Sequence, residues 1–587
     1  MKALILYTNT GAGHVSAGKS ICDALKKFNV DTVEIDTLAF AGKSTSKKVE
    51  NIYVKTVKKS PKFFGLLYRA GEKISNPKIK SIIYILNTLY SKNIYNIIKK
   101  EKPDLIICTH IFCAQTISYL QKKYNFTAIT AAIITDYTCA PFWEETCLNY
   151  YFIPHKDLIT EFVKKGLDKN KILSFGLPVH SKFKCNYTKS ELKKELNLNP
   201  NMKHILIMGG SMGAGNLLET TLELSNKLLN VEFTVICGHN NDLFEKLKRE
   251  DLSKNVNLLS FSDSIDKLMN VSDILITKPG GLTSTEAMVE NLPMIMINPI
   301  PGVESANCEF FNIHKMALPS NSIDETITIC NSLLDDIKIS NEIISAQKEN
   351  VNPNAADDIA MFLIEKLNKY EDSVLFIIDI LLIIISFLSG SVMYSYIIPK
   401  LLKGIDITNV SDDKNPGSGN VIKYCGVFLG LLCIALDLFK AFIPVFISIK
   451  YFHVNNIALI FIAVAPILGH AYSPFLNFHG GKAIASTFGT FLALYPISNV
   501  ALGFALILIF FKFILVIEPN SSVMLVSSLF LDILVITYNH NIHIKIIVLI
   551  ISMILIHKHK INRNEEDITI SLFNKYFKKT LYNYPQY

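Results

Sequence analysis

Several stretches of this chain combine glycines with polar or charged residues in ways that suit phosphoryl chemistry. The first is Thr277-Lys-Pro-Gly280-Gly281-Leu-Thr283-Ser-Thr-Glu286. Glycines there let a phosphate approach the backbone. A helix opening at this point would offer unpaired N–H groups and the positive end of its dipole. Glu286, one turn in, could take the two hydroxyls of a ribose. A tight strand-to-helix turn without a ligand is the other reading. Two more glycine turns, Gly209–Gly215 (with Gly210 and Ser211) and Cys237-Gly238-His239, end strands of the same series, and ligands bind outside the carboxyl ends of such strands. His14 in Gly11-Ala-Gly13-His14 and Asp136 in Ile134-Thr-Asp136-Tyr are rival general bases. Asp136 could equally be a helix N-cap; the lesser alternative for His14 is a turn residue beside one.

A second set of chemistry-bearing residues lies among apolar runs. Gly469-His470-Ala-Tyr-Ser-Pro474 leads to Gly480-Gly481-Lys482, a turn that aims backbone N–H groups and an ammonium at one point. A lysine snorkelling from a span end would explain Lys482 but not the paired glycines, His470 or Pro474. Further polar islands are Asp413-Lys-Asn415-Pro-Gly417-Ser-Gly-Asn420-Val-Ile-Lys423, Asp437-Leu-Phe-Lys440, Asn520-Ser-Ser522 and His557-Lys-His559-Lys-Ile-Asn562. Asp437 and Lys440 share a helix face and could pair or bind. The last island also reads as a positive-inside tail.

These residues need two kinds of scaffold. The chain has 587 residues, 50% apolar and 19% charged, with a net charge of +8. Up to about Tyr370 it is Lys-rich and alternates short apolar strands with helices. Strands are expected at Ala3–Tyr7, Thr32–Ile35, Leu105–Cys108 and Ala128–Ile134, then at Ile205–Met208, Glu232–Cys237, Val256–Ser260, Asp273–Thr277 and Met294–Asn298. That pattern predicts two parallel sheets covered by helices, joined near Gly176–Tyr187. From Val374 to Ile556 the chain is dominated by Ile, Leu, Phe and Val, which excludes a wholly soluble or disordered protein. Six spans are expected: Val374–Ile398, Gly426–Ile449, Ile457–Leu468, Ala483–Phe511, Val523–Ile536 and Ile544–Ile556. The domains are read as 1–180, 181–370, 371–570 and a tail 571–587. Scattered lysines without interleaved aromatics speak for membrane attraction and against nucleic acid. Eleven cysteines without a Cys-x-x-Cys pair suggest a reducing compartment and no zinc site. No signal peptide is expected at the start.

Lys278-Pro-Gly-Gly-Leu-Thr-x-x-Glu286, Pro301-Gly302-x-Glu304-x-x-Asn307 and Gly11-x-Gly13-His14 together resemble the diacylglycerol glycosyltransferases. These include monogalactosyldiacylglycerol synthases and processive diacylglycerol glucosyltransferases, close to glycosyltransferase family 28. The resemblance covers about 365 residues. It implies a GT-B fold, with two Rossmann-like α/β domains facing a cleft, a UDP-sugar donor and inversion at the anomeric carbon. Gly280, Gly281 and Thr283 would hold the diphosphate, Glu286 the ribose, and Glu304 and Asn307 the sugar hydroxyls. With no Asp-x-Asp motif, no metal or other cofactor is expected. The aromatic, basic insert 44–100 would form a membrane-facing lip for diacylglycerol; a solvated helical pair is the alternative.

From about Leu388 to Arg563 the chain resembles the acyl-phosphate:glycerol-3-phosphate acyltransferases, an all-α polytopic membrane family. On that likeness Lys482 with the Gly480 and Gly481 amides would cradle acyl phosphate. Asn415, Gly417, Asn420, Lys423, Asp437, Lys440, His470, Ser522, His559 and Asn562 would serve the two phosphorylated substrates. Asp413-Lys414 stands where the family has Ser-Gly, and Lys423 where it has Arg. The combined expectation is a multi-pass cell-membrane enzyme that glycosylates diacylglycerol and makes lysophosphatidic acid, its glycosyltransferase domain in the cytoplasm. The alternative is a transferase acting on another lipid, carried by an inactive anchor. Lysines 400, 403, 414 and 423 place the far end of the first apolar stretch inside. A re-entrant hairpin at Ser386–Ser391 is therefore expected.

Overall fold

Leu4, Ile5 and Leu6 are wholly buried, as are Ile205, Leu206 and Ile207. Strands apolar on both faces are what a parallel sheet sandwiched between helices requires. The computed structural model describes residues 1–9, 11–41, 65, 68–69, 71, 80–124, 126–185, 187–211, 213, 215–250, 252–495, 497–561 and 568–572. It divides into two units, Met1–Asn368 and Lys369–Tyr587.

The first unit holds two six-stranded parallel sheets. One is built from β1 (Lys2–Tyr7), β2 (Asp31–Asp36), β3 (Leu105–Cys108), β4 (Ile129–Ile133), β5 (Tyr150–Phe152) and β6 (Ile172–Leu173), in the order β2-β1-β3-β4-β5-β6. The other has β7 (Lys203–Met208), β8 (Val231–Ile236), β9 (Val256–Leu259), β10 (Ile274–Thr277), β11 (Met294–Met296) and β12 (Leu318–Pro319), in the order β12-β11-β10-β7-β8-β9. Three helices carry site residues: α1 (Ala12–Lys27) after β1, α2 (Gly281–Val289) after β10 and α3 (Val303–Ile313) after β11. Both sheets reverse their strand order at the first strand of each series. That crevice is where doubly wound sheets bind ligands.

After the second sheet one long helix, α4 (Ala355–Ser391), runs on through the start of the first apolar stretch. No hairpin forms at Ser386–Ser391. The Ser391 hydroxyl donates back to the Phe387 carbonyl at 2.8 Å, an ordinary intrahelical pattern. Gly390 serves close packing, since a Cβ there would overlap the Pro466 backbone. The second unit continues with α5 (Val427–Lys450), α6 (Ala458–Ala471), α7 (Ile484–Ala493), α8 (Val500–Ile509), α9 (Asn520–Tyr538) and α10 (Ile542–Ile561). Among the described residues, 5 helical segments are long and apolar enough to cross a bilayer. The expected span Ala483–Phe511 is instead two helices of 10 residues each, α7 and α8. Pro496 falls between them in the sequence and cannot donate to a helical ladder. The unit is not purely helical either, because β13 (Leu515–Glu518) and β14 (Thr569–Leu572) pair antiparallel. Phe376, Ile384, Phe428, Phe439 and Leu502 are exposed, the apolar exterior expected of a lipid-facing bundle.

Candidate functional site

In the first unit the site grows from strand order. β1, β3 and β4 are neighbours, so the residues after their carboxyl ends (His14, Thr109, Thr135 and Asp136) gather at one edge. His14 Nδ1–H donates to the Thr109 carbonyl at 2.8 Å, and Thr135 Oγ1 lies 3.1 Å from the same nitrogen. That tautomer leaves the lone pair on Nε2. Burial lowers the His14 pKa, so the ring is held as a neutral base, with the Asp136 carboxylate opposing part of that shift. Burial raises the Asp136 pKa in turn, against the pull of His14 and of the Asn307 amide.

The second sheet supplies the other wall. Gly280 caps α2 without a side-chain hydrogen bond, and among the described residues nothing lies within 4 Å of where its Cβ would be. The space beside Gly280, at the start of α2 and one turn from Thr283, is therefore open. At Gly281 a Cβ would overlap the Thr135 carbonyl, so the missing side chain here admits the neighbouring loop. A Cβ on Gly13 would come within 3.5 Å of Leu282, which brings the start of α1 beside the start of α2.

Glu286 is buried, and burial pushes its carboxyl up to about 8. Lys278 pairs with Glu304, whose second oxygen accepts the Ile300 N–H at 3.0 Å. Asn307 does not face a sugar. Its Oδ1 accepts the Tyr137 N–H at 2.8 Å, and its Nδ2 donates to Asp136 at 3.2 Å and to the Pro279 carbonyl at 3.1 Å. It is a wholly buried tie between the two sheets. Gly210, at φ +67, lies against Lys278, and Ser211 gives its carbonyl to the His239 N–H at 2.9 Å. Gly238, at φ +59, packs on that same carbonyl, so its missing side chain lets two loops meet.

One further cluster, His155, Asp157 and His314, has the composition of a metal site. Its nitrogens already have partners. His314 bonds Phe310 and Asp157, each at 2.9 Å, and His155 bonds Asn350 at 3.1 Å and the Asp157 N–H at 3.2 Å.

In the second unit two polar groups form. Asp437 and Lys440 are buried on α5, 2.9 Å apart, with the Ser395 hydroxyl donating to Asp437 at 2.7 Å and Lys440 also donating to the Val392 carbonyl. His470 Nδ1 lies 3.9 Å from Asp437. Above His470 the chain folds back. The Gly480 and Gly481 amides donate to the Ala471 and His470 carbonyls at 3.2 and 3.1 Å. These two amides are thus spent inside the protein, contrary to the expected cradle. The paired glycines are there because a Cβ on either would overlap His470.

The second group centres on Asp413. It takes the Lys482 ammonium at 3.0 Å, the Asn420 amide at 2.8 Å and the Asn415 N–H at 3.2 Å. Gly417 makes room for the Asn415 side chain. Lys423 turns to Asp412, 3.0 Å away.

Family models match three parts of the chain: monogalactosyldiacylglycerol (MGDG) synthase over residues 14–179, the glycosyltransferase family 28 C-terminal domain over 204–309, and glycerol-3-phosphate acyltransferase over 380–565. The chain joins two transferases. Its first half is similar to the processive diacylglycerol beta-glucosyltransferase of Bacillus pumilus, 29% identical over 60% of this chain and 90% of that one. It is also similar to the enzyme of that name from Staphylococcus aureus, 27% identical over 62% and 92%. Its membrane half resembles the glycerol-3-phosphate acyltransferases. A crystal structure of PlsY (YgiH), an integral membrane glycerol 3-phosphate acyltransferase, is 30% identical over 31% of this chain and 89% of that one, with a TM-score of 0.28.

In the glycosyltransferase half, Lys278 and Thr135 are the additions that structure makes to the site. Lys278 is legible as the last residue before the Pro-Gly turn; Thr135 carries no signal in the sequence. In the acyltransferase half, Lys558 is the addition. Its ammonium donates to the Ala471 carbonyl at 2.9 Å and so pins the folded-back strap to α10. Ser522 is buried in the first turn of α9, and His559 Nδ1 donates to the Leu555 carbonyl at 2.8 Å. Among the described residues neither bonds to Lys482 or Asp413. Asn562 lies outside the described residues, as do most of the insert 44–100 and the tail. The described part of that insert includes a helix, Ile82–Leu89, that exposes Ile82, Ile85, Leu86 and Leu89 in one stripe.

Proposed function

We propose that the chain is a bifunctional membrane-lipid enzyme. Its glycosyltransferase half moves a hexosyl unit from a UDP-sugar to diacylglycerol, with inversion at the anomeric carbon. The acceptor hydroxyl attacks C1 of the sugar, the bond from C1 to the diphosphate oxygen breaks, and His14 Nε2 takes the hydroxyl proton. Asp136 steadies the imidazolium that results. The leaving diphosphate meets the first turn of α2 and Lys278, with no metal assigned to this step. Glu286 receives the ribose. The apolar stripe of Ile82–Leu89 forms the lip that meets the lipid. The observation that carries this reading is the convergence, across Asn307, of a neutral histidine from one sheet and an open helix start from the other.

The acyltransferase half moves an acyl group from acyl phosphate to glycerol 3-phosphate. The glycerol hydroxyl attacks the acyl carbon, the bond from that carbon to the bridging oxygen breaks, and inorganic phosphate leaves carrying that oxygen and the hydroxyl proton. Lys482, Asn415 and Asn420 are the donors assigned to phosphoryl oxygens. Both reactions draw on cytosolic substrates, which supports a cytoplasmic position for the glycosyltransferase half. One observation favours the reading of an inactive anchor, namely that Asp413 already occupies those donors.

Membranes supplied with labelled UDP-glucose or UDP-galactose plus diacylglycerol, and separately with acyl phosphate plus glycerol 3-phosphate, test both halves. Glu286→Ala should abolish glycosyl transfer and spare acyl transfer, and Lys482→Ala should do the reverse. Retention of both activities in both variants rejects the site assignment.

A further inference from the structure

Three donors from separate places in the acyltransferase half converge on one carboxylate. Lys482 comes from the strap after α6, Asn420 from the helix Ser418–Cys425, and the Asn415 N–H from the loop before it. They reach the two oxygens of Asp413 at 3.0, 2.8 and 3.2 Å. An ammonium, an amide and a backbone N–H around one point are an anion cradle, and a phosphoryl group is the anion this half must hold. The carboxyl of Asp413 stays charged in that position: burial pushes its pKa up, but the Lys482 ammonium and the two asparagine donors outweigh this and hold it low. Lys423 does not join them, because Asp412 holds it 3.0 Å away. A neutral hydroxyl at residue 413 would add a donor to the cradle; a carboxylate fills it.

We propose that Asp413 is a built-in competitor for the phosphoryl group of the acyltransferase substrates, occupying the donors their oxygens need. This rests on the acyl-transfer reading of the membrane half. Binding then requires the carboxylate to leave Lys482 and Asn420, or to remain beside an incoming dianion. Either route weakens affinity, and both vanish when residue 413 is uncharged. Asp413 thereby sets how much phosphorylated substrate the membrane half needs before it works.

The test uses the full chain purified in detergent, with equilibrium dialysis of radiolabelled glycerol 3-phosphate and of inorganic phosphate. Asp413→Asn should bind each about tenfold more tightly than the parent, on the order of one charge-assisted hydrogen bond recovered. Asp413→Ser carries the same expectation and keeps the test usable if Asn disturbs the loop. In a Lys482→Ala background the gain should shrink below about twofold, since the competition is for that ammonium. Unchanged or weaker binding in both single variants overturns the proposal, and so does an undiminished gain without Lys482. Acyl transfer is read on the same preparations. Tighter binding without acyl transfer defeats the proposed reaction and leaves the role of Asp413 standing; unaltered binding with acyl transfer does the opposite.

Discussion

Glu286 is a carboxyl that the fold keeps protonated near neutral pH, because burial pushes it up to about 8. An unfolded chain would lose that proton near the ordinary carboxylate value, ~4.3. Between those values the folded state holds the extra proton, so this residue makes stability fall as pH rises through the window. Glu286→Gln should flatten that part of a melting-temperature profile. The same group bears on the donor nucleotide. Ribose hydroxyls donate hydrogen bonds, which favour the carboxylate, so UDP binding at pH 7 should release about one proton. Calorimetry in buffers of different ionisation enthalpy reads that release, and Glu286→Gln should bind UDP without it. Asp437 and Lys440 show the opposite economy of charge: each is spent on the other and on neighbours within the bundle.

At the scale of elements, the two glycines at the start of α2 have separate duties. Gly281 lets the turn lie against the Thr135–Asp136 loop, whereas Gly280 borders open space. Gly281→Ala should therefore cost about 1–3 kcal/mol in thermal unfolding, by prising that loop from α2. Gly280→Ala should leave the melting temperature unchanged and weaken UDP binding, because its methyl group would point where the diphosphate approaches. An equal loss of stability in both variants would contradict this division. The strap above His470 repeats the lesson in the membrane. Gly480 and Gly481 read as phosphate-binding glycines, yet their amides close a turn and their missing side chains make room for His470. A glycine's spacing along the chain does not say whether its open side meets a ligand or another backbone.

For the whole molecule, the cytoplasmic placement of the glycosyltransferase half is open to direct measurement. Cys147 and Cys185 are exposed in that half. A membrane-impermeant maleimide should leave both unlabelled in intact cells and label them after permeabilisation. Labelling in intact cells would put the nucleotide-sugar site on the wrong side and end that part of the proposal. The architecture itself was largely readable from residue order. Alternating apolar strands and helices specify two parallel sheets, and long runs of Ile, Leu and Phe specify a lipid-facing bundle, because burial and solvation act on local patterns that repeat. The glycine-rich turns after β7 and β10 were visible for the same reason. The course of α4 through Ser386–Ser391, the tie made by Asn307, the loss of the Gly480 and Gly481 amides to carbonyls at the end of α6 and the capture of Lys482 by Asp413 were not. Each depends on which elements the fold brings side by side, and nothing local in a chain records which donor or acceptor from another element a buried polar atom will find.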